Sequence, residues 1–456
     1  MFSFLKKLWR DRRGNMLAIA AAAMPLVVGA AGLANDTIQW TLWKRQLQRA
    51  ADSAALAGVY DRVNNSGSTS TVSWTVSHDL TLNQHTWMAL KTGYPIVNYD
   101  ASCPVTGATS AITNRVCVTV AVQQKLTFSS MFMSTPPTIT ATATAASVSY
   151  GGEPCFFATE PGTATGLNYS GNAGIEAPDC DGFSNASGTN TSVAKGSSNV
   201  QLNSIGGVGG IQQSNNFHVN SYRPYSPAIT DPFASVNPSS SDMKCAGHWV
   251  TKGNGKNATT SWVNDELTDA TDMSAARDIN GNPANCWTDM SVGSNTTLTV
   301  PANFGPIYLN GGDANIQGNF SCTSCTIVLT NQSASSPIGN IKVNASSNIN
   351  ITPPTGTTDK FKGIAIYQDR RASDCNSCNK INGNSGSIIQ GAIYFPSQEL
   401  EYNGTGNTAA QCTMFIARRL NFSGNSTTTN KFKKLADCSA FGLPDGATQV
   451  MVRLVA

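Results

Sequence analysis

The sequence predicts an α+β chain that is mainly β. It reads as one N-terminal transmembrane helix with a long helical extension, a small α+β module, and a β-solenoid-like (parallel β-helix) exported region. Three observations predict this. Met16 to Ala34 carries no charge, and apolar residues then recur at helical spacing to about Tyr60. Alternating segments follow from Pro95. From Gly151 onward, Gly, Asn and Ser separate short apolar triplets with no long helical pattern between them. The 456 residues are 40% hydrophobic but only 12% charged. That charged share is about half the usual one, which excludes a long coiled coil. The hydrophobic share excludes wholesale disorder.

Residues 1–13 form a basic tail, predicted to be cytoplasmic. Lys6, Lys7, Arg10, Arg12 and Arg13 stand there against Asp11 alone. The whole chain has a formal charge of +3, so the rest is near neutral. A nucleic-acid partner, which needs a basic face on the folded part, is therefore excluded. The uncharged run that follows is long enough to span a bilayer. Basic residues before it and Asp36 after it place the N-terminus inside and the bulk of the chain outside. A cleaved signal peptide is the alternative. Against that, the apolar run exceeds a usual signal core and the helical pattern continues beyond it.

The helix 14–60 is expected to bend or break near Pro25. Its extension presents Trp40, Trp43, Leu47, Ala50 and Ala54 as one apolar stripe, with Lys44, Arg45, Gln48 and Arg49 opposite. Within the span, Gly29, Ala30 and Gly32 are small enough to let neighbouring helices approach. Asp36 lies just outside, either to pair with a basic group on a neighbour or simply to be solvated.

The run from Asp11 to Gly58 resembles the N-terminal region of TadE/TadG-like proteins of the Flp (tight-adherence) pilus-assembly system. Arg13-Gly14 before the span, Pro25 within it, Asp36 after it and Arg45 to Ala57 carry the resemblance. It implies a single-pass protein of the bacterial inner membrane, with membrane lipid and other pilus-assembly or pilin-like subunits as partners. Processed pilins carry Glu five residues after the cleavage Gly. Here that place is Ile19, so cleavage after Gly14 is not expected. The Asp-x-Ser-x-Ser adhesion loop of some relatives does not occur.

Residues 61–150 form the α+β module, with a helix over Val72–Leu90 and strands around Val116–Val122 and Ile139–Ala145. Residues 151–456 form the solenoid-like region, with strands of four to six residues and Asn at turns, where stacked amides can bond in ladders. Phrases near 308–319, 363–370 and 390–407 resemble the exported region of one branch of the same family.

All twelve cysteines lie beyond the span, as expected of disulfides formed in an oxidising compartment. Proximity suggests Cys103 with Cys117, Cys155 with Cys180, Cys245 with Cys286, and Cys412 with Cys438. Connectivity does not follow from sequence. Cys322 with Cys325 and Cys375 with Cys378 are two CxxC motifs. Their separation far exceeds that of a zinc site, and no βαβ pattern suggests redox work. Disulfides on turns are expected instead, with no metal and no cofactor.

Other motifs read as structural. Asp278 to Asp289 imitates a calcium loop, but Pro283 stands where Gly is needed. Asp265, Glu266, Asp269 and Asp272 read as an exposed helical face. His78, His85, His218 and His248 have no nucleophile or metal partner in the sequence pattern. Asp369, Arg370 and Arg371 suit an ion pair better than the cluster of a β-helix polysaccharide lyase. With no catalytic group expected, the leading reading is a structural pilus-assembly component. A surface adhesin or carbohydrate-binding solenoid is the alternative, and a polysaccharide-degrading enzyme ranks below it.

Overall fold

A computed structural model describes residues 14–83, 89–105, 112–150, 154–384, 386–404, 411–424, 430–433, 435–443 and 449–456. The basic tail 1–13 and His85 lie outside the described residues. The chain is mainly β, with two α-helices and extensive parallel pairing among the described residues. It divides into two compact units, 1–149 with 450–456, and 150–449. Residues 450–456 thus belong with the N-terminal unit rather than with the region that precedes them.

In the first unit, α1 runs from Gly14 to Asn64 without interruption at Pro25. Of the expected bend or break, the break does not occur, and the helix ends four residues beyond Tyr60. α2 spans Val72–Asn83. Both pack on a sheet of β1 (Ile96–Tyr99), β2 (Ile112–Val122), β3 (Ile139–Tyr150) and the strand Gln449–Leu454. β1 to β3 are antiparallel. Residues two apart on a strand share a face, so Val116, Val118, Val120 and Val122 all point into one core. Trp43, Leu47, Ala50, Ala54 and Val59 of α1 meet them there. The alanines bring the helix close to the sheet, and Gly58 completes the approach. A Cβ there would sit 3.0 Å from Val116 and 3.1 Å from Val72. Trp40, assigned by spacing to the same stripe, is half exposed instead. It lies before the sheet begins to cover the helix.

The second unit is built from parallel ladders around one apolar core. One ladder aligns Tyr308, Val328, Tyr367, Tyr394, Ile416, Phe157 and Phe183 in adjacent strands. A second aligns Ile316, Val343, Ile381, Tyr402, Phe422 and Tyr169. A third pairs Thr297–Thr299, Asn319–Thr323, Ile349–Thr352 and Ile388–Ile389. The order is not sequential. The strand Thr413–Phe422 lies beside Pro154–Ala158, so the last ladder strands adjoin the first. Like side chains stack at the core. Phe156 lies parallel to Phe415 at 5.6 Å, and Tyr367 to Tyr394 at 5.1 Å. Outside, Asn168 donates to Asn421 at 2.9 Å and Asn403 to Asn382 at 3.0 Å.

The cysteines form six disulfides: Cys103–Cys117, Cys155–Cys180, Cys245–Cys286, Cys322–Cys325, Cys375–Cys378 and Cys412–Cys438. The first is in the helical unit and the other five are in the ladder unit.

Candidate functional site

The outer part of the apolar helix carries the most specific geometry in the first unit. Gly29, Gly32 and Asp36 are three and four residues apart, so they share one helix face. The turn after β2 lies against that face. Asp36 is only 2% exposed. Its carboxylate accepts from the backbone N–H groups of Phe128 (3.0 Å) and Ser129 (2.5 Å) and from the Ser129 hydroxyl (2.6 Å). Three donors satisfy a carboxylate that burial would otherwise make costly. One helical turn earlier, the Phe128 ring covers Gly32. A Cβ on Gly32 would run into that ring, whereas one on Gly29 would only touch it at 3.9 Å.

These contacts revise the expectations for the segment. Asp36 neither waits for a neighbour's cation nor is solvated, because residues 92 positions away in its own chain take its charge. Gly32 is small because Phe128 needs the space. Ala30 remains exposed on the helix surface. The helix is apolar enough to cross a membrane by length and composition. Met24, Leu26, Val27, Val28 and Leu33 are all exposed on it, which suits lipid around them.

Residues 14–61 match the model of the family described as putative Flp pilus-assembly TadE/G-like. The match covers the apolar stretch, Asp36 and the part of α1 that packs on the sheet. It supports a general role in Tad pilus assembly and contact with other pilus components. No curated protein and no solved structure matches the chain.

Beyond the TadE/G-like segment, the titratable groups of the second unit are mostly used for structure. Asp369 accepts from Thr330 (2.7 Å) and Arg371 (2.8 Å). Burial alone would raise its carboxyl, but these donors outweigh it and hold the group below its usual range. Arg370 donates to the carbonyls of Phe233 and Ala234 and to the Tyr394 hydroxyl. The Asp278 carboxylate accepts from Asn282 and Asn280 within its own turn, which lowers its pKa and uses the oxygens that a cation would need. His248 pairs with Asp265 at 2.6 Å. Among the described residues, no group of three or more His, Cys, Asp and Glu side chains could hold a metal ion.

Sequence reasoning missed one cluster. Buried Glu160 receives Arg418 Nε at 2.8 Å, Arg419 Nη1 at 2.6 Å and the Gly162 N–H at 2.9 Å. Arg419 also reaches Asp374 at 2.5 Å. Burial works against ionisation of Glu160, yet Arg418, Gly162 and Arg419 together keep its pKa low. Arg418 and Glu160 are 258 residues apart, and no local pattern joins them. On the outer face of the second ladder, Asn315, Gln317, Lys342, Asn344, Lys380 and Asn382 line a shallow groove of about 300 Å³.

Proposed function

We propose that this protein is a structural, non-catalytic component of Tad/Flp pilus assembly. In this reading α1 anchors it once in the inner membrane, and the ladder unit is an exported β-solenoid on the periplasmic or cell-surface side. The observation that carries the proposal is the TadE/G-like match falling on a helix whose first half is bare and apolar and whose second half is built into a folded unit. The solenoid reading rests on three parallel ladders with inward apolar stacks and outward Asn pairs. Five disulfides in that unit suit an oxidising compartment. Glu160, Asp369 and Arg370 are each held by structural partners, which favours support over chemistry.

The test is a deletion strain complemented with variants. Loss of filaments, restored by the wild-type chain, is the expected result. Ala30→Leu should still insert, because Leu is well accepted in a span. Where a partner helix packs against Ala30, the larger side chain should reduce filament number. Normal filaments in the deletion strain with lost surface attachment would favour the adhesin reading instead.

A further inference from the structure

The turn that caps Asp36 has a second face. After Phe128, the residues Met131, Phe132 and Met133 are 74%, 75% and 48% exposed. Three large apolar side chains in a row on a surface mark an interaction site rather than chance. The turn is not a loose tip. The N–H groups of Met131, Phe132 and Met133 donate to Phe128 O and Ser129 O at 2.9–3.0 Å. Asp36 fixes its start. Phe132 lies 5.3 Å from the Phe128 ring, and Phe128 covers Gly32. An aromatic path therefore runs from the helix face to the exposed Phe-Met cluster.

The height of this cluster on the helix is decisive. Met16 to Ala34 spans about 28 Å at 1.5 Å per residue, close to the roughly 30 Å of a bilayer core. Gly32 and Asp36 therefore stand at the outer boundary of the hydrocarbon, and the turn stands with them. No charged residue occurs from Leu126 to Pro137. A protein partner would commonly be steered by charge at the rim of the contact, whereas a lipid surface asks only for apolar area at the right depth.

We propose that Met131, Phe132 and Met133 insert into the outer leaflet, giving the protein a second, shallow membrane contact beside α1. This rests on α1 crossing the bilayer. Two contacts at one boundary would fix the tilt and rotation of the helix, which a single span leaves free.

The experiment uses the full chain in phosphatidylcholine vesicles containing a photoactivatable phosphatidylcholine, with adducts mapped by chymotryptic digestion and mass spectrometry. Adducts are expected on the α1 span and on Met131–Met133. The triple variant Met131→Ser, Phe132→Ser, Met133→Ser should lose the turn adducts and keep those on the helix. Its exposed positions leave the fold intact, checked by slow amide exchange at Phe128 and Ser129. Adducts on the helix alone would overturn the second contact and leave the anchor standing. Adducts on neither would overturn both.

Discussion

The two units solve the problem of a core in opposite ways. In the helical unit, the core comes from two helices and neighbouring antiparallel strands, and its side chains are mainly Val and Ala. In the ladder unit, stacked Phe, Tyr and Ile come from strands far apart in sequence, and five disulfides and a buried ion cluster tie them. The first design is written in local periodicity and the second in long-range register. Damage to a single long-range tie should therefore spread through the ladder unit, while damage in the helical unit should stay near its site.

The largest expected effect comes from Glu160→Ala. It removes the buried acceptor shared by Arg418 and Arg419 and leaves them Asp374 and Glu399 as partners. Breaking a fully buried pair costs about 3–5 kcal/mol, and the remaining partners bring the expected loss to the lower end of that range. Calorimetry should show the transition of the ladder unit falling while that of the helical unit holds. An unchanged ladder transition would break the comparison.

Gly32→Leu comes next. The new side chain must push Phe128 aside, and overpacking of this kind costs about 1–3 kcal/mol. Membrane insertion should persist. Amide exchange at Phe128 and Ser129 should accelerate, since their acceptor on Asp36 is displaced. Exchange on β2 itself should not change.

The smallest effect concerns pH. Arg62 donates to both oxygens of Asp100, at 2.8 and 3.0 Å. These hydrogen bonds hold the Asp100 carboxyl below its usual value. A lowered folded-state pKa gives stability that is full above the unfolded pKa, about 3.9. It is lost as pH falls through the lowered value. Asp100 is about half exposed, so only a few tenths of a kcal/mol are expected. Melting of the helical unit between about pH 5 and 2 should show a slightly shallower acid limb in Asp100→Asn than in the wild type.

These contrasts match what was legible beforehand. The apolar span, the continuing helix and the alternating Val and Ala strands carry their period in adjacent residues, so the mainly β chain with its leading apolar helix could be read directly. Trp40 misled because spacing gives a face but not where the covering sheet starts. The partner of Asp36 could not be read, because 92 residues separate them and no spacing rule spans that gap. The uncharged Phe-Ser-Ser-Met-Phe-Met run was the one available signal. In the ladder unit, individual strands were visible as apolar triplets between turn formers. Their order was not, because parallel register between Thr413–Phe422 and Pro154–Ala158 depends on which core side chains fit together.

The chain passes from the helical unit to the ladder unit and back, and Thr144 of β3 then exchanges backbone hydrogen bonds with Val455 and Ala456. This sets a timetable for folding. Synthesis delivers residues in order, so α1, α2 and β1 to β3 are made early, but the neighbour of β3 is made only after the whole ladder unit. Until then β3 is an open edge, the kind of surface that pairs with other chains. That sheet thereby acts as a receipt, complete only when everything between residues 150 and 449 has been synthesised.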